Sequence, residues 1–216
     1  MTKITVMLVA SLMFTGCAAV PLIAGIAAIS TGTSWKLRQE QDGAPSSLPS
    51  RDVAVAALAQ RAAWMRERTP DRAPIGFRDV AWWTPEREFR AAYPDARCRI
   101  VRGAARCTLA TTIDGIPVTT RFWFGAGPPD ARTLVRVEVW FASVNHDRLR
   151  RSLVETYGAA TQERKDFGPR DRLGLPTENT FTAWEWTTAT IVQARYWSDY
   201  YDRGVAVIRP RGGATD

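Results

Sequence analysis

The chain has a single histidine, His146, and only three cysteines, Cys17, Cys98 and Cys107, in 216 residues. A structural zinc site takes four nitrogen or sulfur ligands, so this inventory speaks against a metal centre, and no cofactor is expected. Glycine-rich phosphate loops are absent, and no serine or cysteine stands in a recognisable nucleophile elbow. Lysine is nearly missing: of 29 basic residues, all but Lys3, Lys36 and Lys165 are arginine. The arginines are scattered rather than clustered, which argues against nucleic acid as a partner despite a net charge of +7. Charge of either sign is absent from residues 4–29.

That uncharged stretch carries the clearest address. Residues 4–14 follow Lys3 and have the length and flank of the apolar region of an export signal, too short to span a bilayer alone. They lead into Met13-Phe14-Thr15-Gly16-Cys17. Here the chain resembles the lipobox of bacterial lipoproteins, in which the signal is cut before a cysteine that becomes lipid-modified. Phe14 stands where that family usually has Leu. The resemblance implies a signal peptide over residues 1–16, lipid on Cys17, a tether and linker over 17–50, and an exported body. Ala18 in place of Asp after the cysteine implies, by the same resemblance, an outer-membrane lipoprotein facing the periplasm. The alternative is an uncleaved anchor, since residues 4–29 are long enough for one spanning helix, although Pro21 and the glycines weaken it. Either way the membrane is a partner. In that setting an envelope protein, anionic lipid headgroups or lipopolysaccharide are the expected electrostatic contacts.

In an exported chain the remaining pair, Cys98 and Cys107, is expected to be oxidised. Arg102-Gly103 suits a two-residue hairpin loop, and this register sets Cys98 opposite Cys107 as a non-hydrogen-bonded pair within disulfide range. Asp114-Gly115 is a second hairpin signal and pairs Ile113 with Ile116 and Cys107 with Phe122. Alternation collects Cys98, Ile100, Cys107, Leu109, Ile113, Ile116, Val118, Phe122 and Phe124 on one face, and Arg99, Arg106, Thr108, Thr112, Thr119, Arg121 and Trp123 on the other. A fourth strand is predicted over 133–142. Val135, Val137, Val139 and Phe141 face one way, and Leu134, Arg136, Glu138 and Trp140 the other.

The linker, rich in Gly and Pro, precedes a predicted helix, Arg51–Arg68, with Val55, Leu58, Ala62 and Met65 on its apolar stripe. A short helix is expected with Thr84 as cap and Pro85 at its first position, ending before Pro94. A third covers residues 145–157, capped by Ser143 or Asn145 and stopped by Gly158, with Leu149, Leu153 and Tyr157 on its apolar stripe. Arg148, Arg150 and Arg151 read as its solvated face. Residues 159–180 read as a long loop, followed by strands over 181–187, 190–197 and 205–209. The expected fold class is therefore α+β: one soluble domain over residues 51–216, an antiparallel meander sheet packed by short helices. A helix followed by a meander occurs twice, which suggests two halves sharing a sheet. In element order, though in no sequence motif, this is similar to BamE-like and β-lactamase-inhibitor-like modules.

Trp123 and Trp140 fall on the polar side of the sheet beside Arg121, Arg136 and Glu138. Aromatic residues and arginine are favoured interface anchors, so these five residues are the candidate partner-binding site. Covering by a helix, or purely structural Arg–Trp stacking, is the competing account. Trp82, Trp83, Trp184 and Trp186 read as core or rim. His146 beside Asp147 is a weak catalytic pair without a nucleophile, and Glu138, Glu155 and Glu185 are scattered. The reading is a non-catalytic envelope lipoprotein that binds a macromolecular partner as a scaffold or assembly component. A periplasmic inhibitor or immunity protein is the alternative, and an envelope hydrolase the second.

Overall fold

The computed structural model describes residues 48–211 other than 70–71, 171–172 and 198–199. The lipobox, Cys17 and the tether as far as residue 47 lie outside the described residues. The fold is α+β, with three helices, an eight-stranded antiparallel sheet and a two-stranded one.

Helix α1, Arg51–Arg68, starts where Ser50 Oγ accepts a hydrogen bond from the Val53 amide at 3.4 Å, with Asp52 in the positively polarised first turn. It buries Ala54, Leu58 and Ala62, whereas Val55, assigned to the stripe from sequence, is 48% exposed. The stripe rotates because α1 seats on helix α2, Glu86–Ala92, through small side chains: Ala54 and Leu58 cluster with Ala92. Between the two helices lie the short strands β1, Gly76–Phe77, and β2, Val80–Ala81, which the sequence pattern does not announce. Helix α2 begins one residue later than expected. Pro85 holds the cap position, and the buried Thr84 hydroxyl donates to the Ala81 carbonyl at 2.8 Å instead of capping.

Strands β3 (Arg97–Val101), β4 (Ala104–Ile113), β5 (Ile116–Ala126) and β6 (Leu134–Ala142) form a meander in the expected register. Cys98 and Cys107 lie opposite one another and form a disulfide, with Cα atoms 3.9 Å apart. Both tight turns place two successive residues at positive φ, 51° and 82° for Arg102 and Gly103, 46° and 74° for Asp114 and Gly115. This is the backbone that matches strand twist. Three side chains depart from the expected faces. Ile100 is 56% exposed because β3 is the sheet edge. At β6 Trp123 pairs with Arg136 but Phe124 pairs with Leu134, so Val135 is the extra residue of a bulge. The bulge turns Leu134 into the core, fully buried, and leaves Val135 half-buried, the reverse of simple alternation.

Helix α3, His146–Tyr157, grows out of a 3-10 turn, Ser143–Asn145, and has no side-chain cap; the Ser143 hydroxyl donates instead to the Tyr201 carbonyl at 3.1 Å. Gly158, at φ 88°, ends it and returns its amide to the Val154 carbonyl. Residues 159–180 are not a loop. They contain strand β7, Gln162–Arg170, and the start of β8, Pro176–Glu185. Strands β9 (Ala189–Ala194) and β10 (Arg203–Pro210) complete the sheet in the order β3-β4-β5-β6-β10-β9-β8-β7. Each half is thus a helix followed by a four-stranded meander, the second with one strand more than the pattern predicts. The halves join through antiparallel pairing of β6 with β10, including Phe141 opposite Gly204 and Val139 opposite Ala206. One face of the sheet holds a continuous core containing Phe89, Phe122, Phe124, Leu149, Trp184 and Ile208. Each of the three helices buries an apolar stripe in this cluster or against another helix.

Candidate functional site

Cross-strand register brings the five predicted residues together on the opposite face. Arg121 lies opposite Glu138, Trp123 opposite Arg136, and Trp140 opposite Thr119. Glu138 ties them together. It accepts from Trp140 Nε1 at 3.0 Å and pairs with Arg136 Nη2 at 3.2 Å and Arg121 Nη1 at 3.7 Å, with its own side chain only 12% exposed. The arginines also stack on the rings: Arg121 lies 4.3 Å from the centre of Trp140 and Arg136 4.4 Å from that of Trp123. Such a contact contributes roughly 0.5–2 kcal/mol, more as water is excluded.

Two further side chains belong to this patch. Arg106, the cross-strand neighbour of Trp123 on β4, sits 5.4 Å from the same ring. Trp197, in the turn after β9, meets Trp140 edge-on at 6.4 Å. Alternation assigns Arg106 to this face, whereas nothing local to Trp197 announces its contact. Stacking shields the nitrogens next to the rings: Trp123 Nε1, Arg106 Nε and Arg136 Nε are buried without a hydrogen-bond partner among the described residues.

The face is basic. On strands β3–β6 it presents Arg97, Arg99, Arg106, Arg121 and Arg136 against the one carboxylate, Glu138. Arg99 stands directly opposite Arg106, a like-charge pair that opposes pairing until an anion approaches. A hollow of about 430 Å³ adjoins the patch, lined among others by Arg121, Trp140, Phe141 and Arg203. Flat rings, fixed cations and a recess suit contact with an acidic surface.

The other sequence candidates lie elsewhere. His146 is 2% exposed and faces the core; its Nδ1 lies 2.9 Å from Asp147 Oδ1, while Nε2 is buried without a hydrogen-bond partner among the described residues. Burial holds the imidazole pKa below 6.5 against the opposing pull of Asp147, whose own carboxyl is held below 3.8 chiefly by that hydrogen bond. Glu185 pairs with Arg211 at 2.6 Å, and Glu155 is exposed on α3. Trp82 and Trp184 are core residues whose indole N–H groups donate to the Pro74 and Gly158 carbonyls, each at 2.9 Å. Trp83 is 45% exposed, and Trp186 packs against Tyr157. The arginines of α3 are less free than a solvated face implies. Arg148 donates to the Asp114 carbonyl at 2.6 Å, and Arg150 pairs with Glu163 on β7.

Among the described residues no three His, Cys, Asp or Glu side chains gather in a way that holds a metal ion, and no helix is long and apolar enough to cross a membrane. No protein-family model, curated protein or solved structure matches this chain.

Proposed function

We propose that the chain is an envelope lipoprotein, tethered to the outer membrane through lipid on Cys17 and facing the periplasm. Its α+β domain binds an acidic macromolecular partner without catalysis, as a scaffold or assembly component. The observation that carries the binding reading is the single Arg–Trp network around Glu138 on a basic sheet face, opposite the face that takes the helices. A second reading, an inhibitor or immunity protein, uses the same face. The recess beside Trp140 favours it, since a protruding side chain of a target enzyme fits such a hollow.

A photo-crosslinking residue in place of exposed Thr119, opposite Trp140, tests the binding face in the full chain within its native envelope. Wild type is expected to trap a partner, and Trp140→Ala combined with Arg136→Gln to lose it. Arg99→Glu is the control for folding: Arg99 is exposed, so its reversal weakens capture while the melting temperature holds. Capture that survives both changes overturns the face. A partner that fractionates with membranes supports the scaffold reading, and a soluble enzyme or toxin supports the inhibitor. Lipid label and membrane retention that both depend on Cys17, compared with Cys17→Ser, support the tether; a soluble unlabelled chain overturns it.

A further inference from the structure

A second basic site lies on the helical side of the sheet. There a hollow of about 630 Å³ opens between the last turn of α1, the segment leading into β1, the tip of the β4–β5 hairpin and the last two turns of α3. Among the described residues its lining holds Arg66, Arg72 and Arg78 with one carboxylate, Asp114, an excess of two positive charges. Asp114 is already engaged: its carboxylate accepts the Ser152 hydroxyl, and its carbonyl accepts from Arg148. No described carboxylate pairs with any of the three arginines. Arg72 and Arg78 stand at φ 62° and 56°, left-handed positions that glycine or asparagine fills more easily, so two of the three guanidinium groups are placed against local backbone preference. Arg78 is further fixed by donating to the Thr112 carbonyl. Phe77, Ile113 and Leu153 supply apolar lining.

We propose that this hollow binds a small molecule bearing a phosphomonoester on a partly apolar body. A phosphomonoester carries about −1.5 to −2 charges near neutral pH, which matches the excess of the lining. Guanidinium forks meet phosphate oxygens two at a time, and the volume lies within the range of roughly 300–1,000 Å³ typical of small-ligand sites. The same chemistry is found on soluble phosphate esters and on the headgroup of phosphatidic acid. The site shares no residue with the Arg–Trp face, so the two proposals fail independently.

Calorimetric titration of the full chain with glycerol 3-phosphate and with its 1-hexanoyl ester, and binding to phosphatidylcholine vesicles with and without phosphatidic acid, tests the site. Arg66→Gln, which removes an exposed guanidinium, is expected to weaken binding about tenfold while the protein melts as wild type. Thr156→Glu sets a carboxylate into the lining and is expected to abolish binding. Saturable binding of glycerol 3-phosphate or its hexanoyl ester with these losses assigns a soluble ligand. Binding only to vesicles that contain phosphatidic acid, with the same losses, assigns a lipid headgroup. No saturable binding of any of these probes, or binding that both variants retain, overturns the site.

Discussion

His146 is the only histidine in the chain, so its titration is not mixed with that of another imidazole. It is the first residue of α3, the Gln193 side-chain amide donates to its carbonyl at 3.0 Å, and Arg150 and Arg195 add repulsion toward an imidazolium. With Nδ1 donating to Asp147, the neutral ring presents Nε2 as a buried acceptor, and protonation there adds a buried N–H with no acceptor among the described residues. The folded pKa lies below 6.5, so as pH falls the unfolded chain takes up its proton first. Stability from the neutral ring is therefore complete above about 6.5 and drains away below it until the folded state also protonates. Asp147 acts in a lower window: its depressed pKa makes a contribution present above 3.8 that is lost as pH falls through the folded value. Thermal melts are expected to give a lower melting temperature at pH 5 than at pH 7.5. His146→Gln is expected to flatten that difference, and an unchanged slope in the variant counts against this assignment. Glu138 makes the complementary case. Removing its carboxylate strands the Trp140 N–H and two arginines, so Glu138→Ala is expected to cost about 1–3 kcal/mol in urea unfolding, with Arg136→Gln costing less because Arg136 is the more exposed of the two arginines.

At the scale of elements, the β3–β4 hairpin depends on its crosslink more than the central strands do. It is the sheet edge, Ile100 on it is exposed, and the disulfide closes its turn. Closing so short a loop stabilises by about 2.5–3 kcal/mol in the chain-entropy model, or about 5–10 °C in melting temperature for a domain of this size. Cys98→Ser is expected to lower the melting temperature by that amount, reductant to lower the wild type equally, and reductant to leave the variant unchanged. A wild type indifferent to reductant defeats the expectation. This hairpin and β4–β5 are legible in sequence because the turn dipeptides set a register that the alternating apolar residues confirm. Strand β7 is not: Gln162–Arg170 is an edge strand with polar residues on both faces, so it carries no period-two signal. The β6 bulge is hidden too, because it follows from a tertiary bond, Gly125 amide to Thr133 carbonyl at 2.9 Å, not from the residues of β6. The Arg–Trp face was readable because residues on one strand face stay together once register is known. The hollow lined by Arg66, Arg72 and Arg78 was not, since its walls come from four segments far apart in the chain.

Across the whole molecule, two helix-plus-meander halves share one core, and the joint between β6 and β10 decides whether they unfold together. Phe141 and Gly204 meet there in register, and a Cβ on Gly204 falls 2.4 Å from the Phe141 ring and 2.7 Å from the Ala194 carbonyl oxygen. Only glycine lets the strands approach with Phe141 in place, so Gly204→Ala displaces a buried ring at a cost of about 1–3 kcal/mol. The core cluster runs through the joint without a break, from Phe122 and Val139 in the first half to Ala206, Ile191 and Trp184 in the second. One apolar cluster contains residues of both halves, so neither half keeps a closed apolar surface if the other opens. Amide exchange followed through increasing urea is therefore expected to show strands β4–β5 and β8–β9 losing protection at the same concentration, with Gly204→Ala moving both midpoints down together. Earlier loss in β8–β9 alone means that the halves are separate folding units and that the joint is only a contact between them.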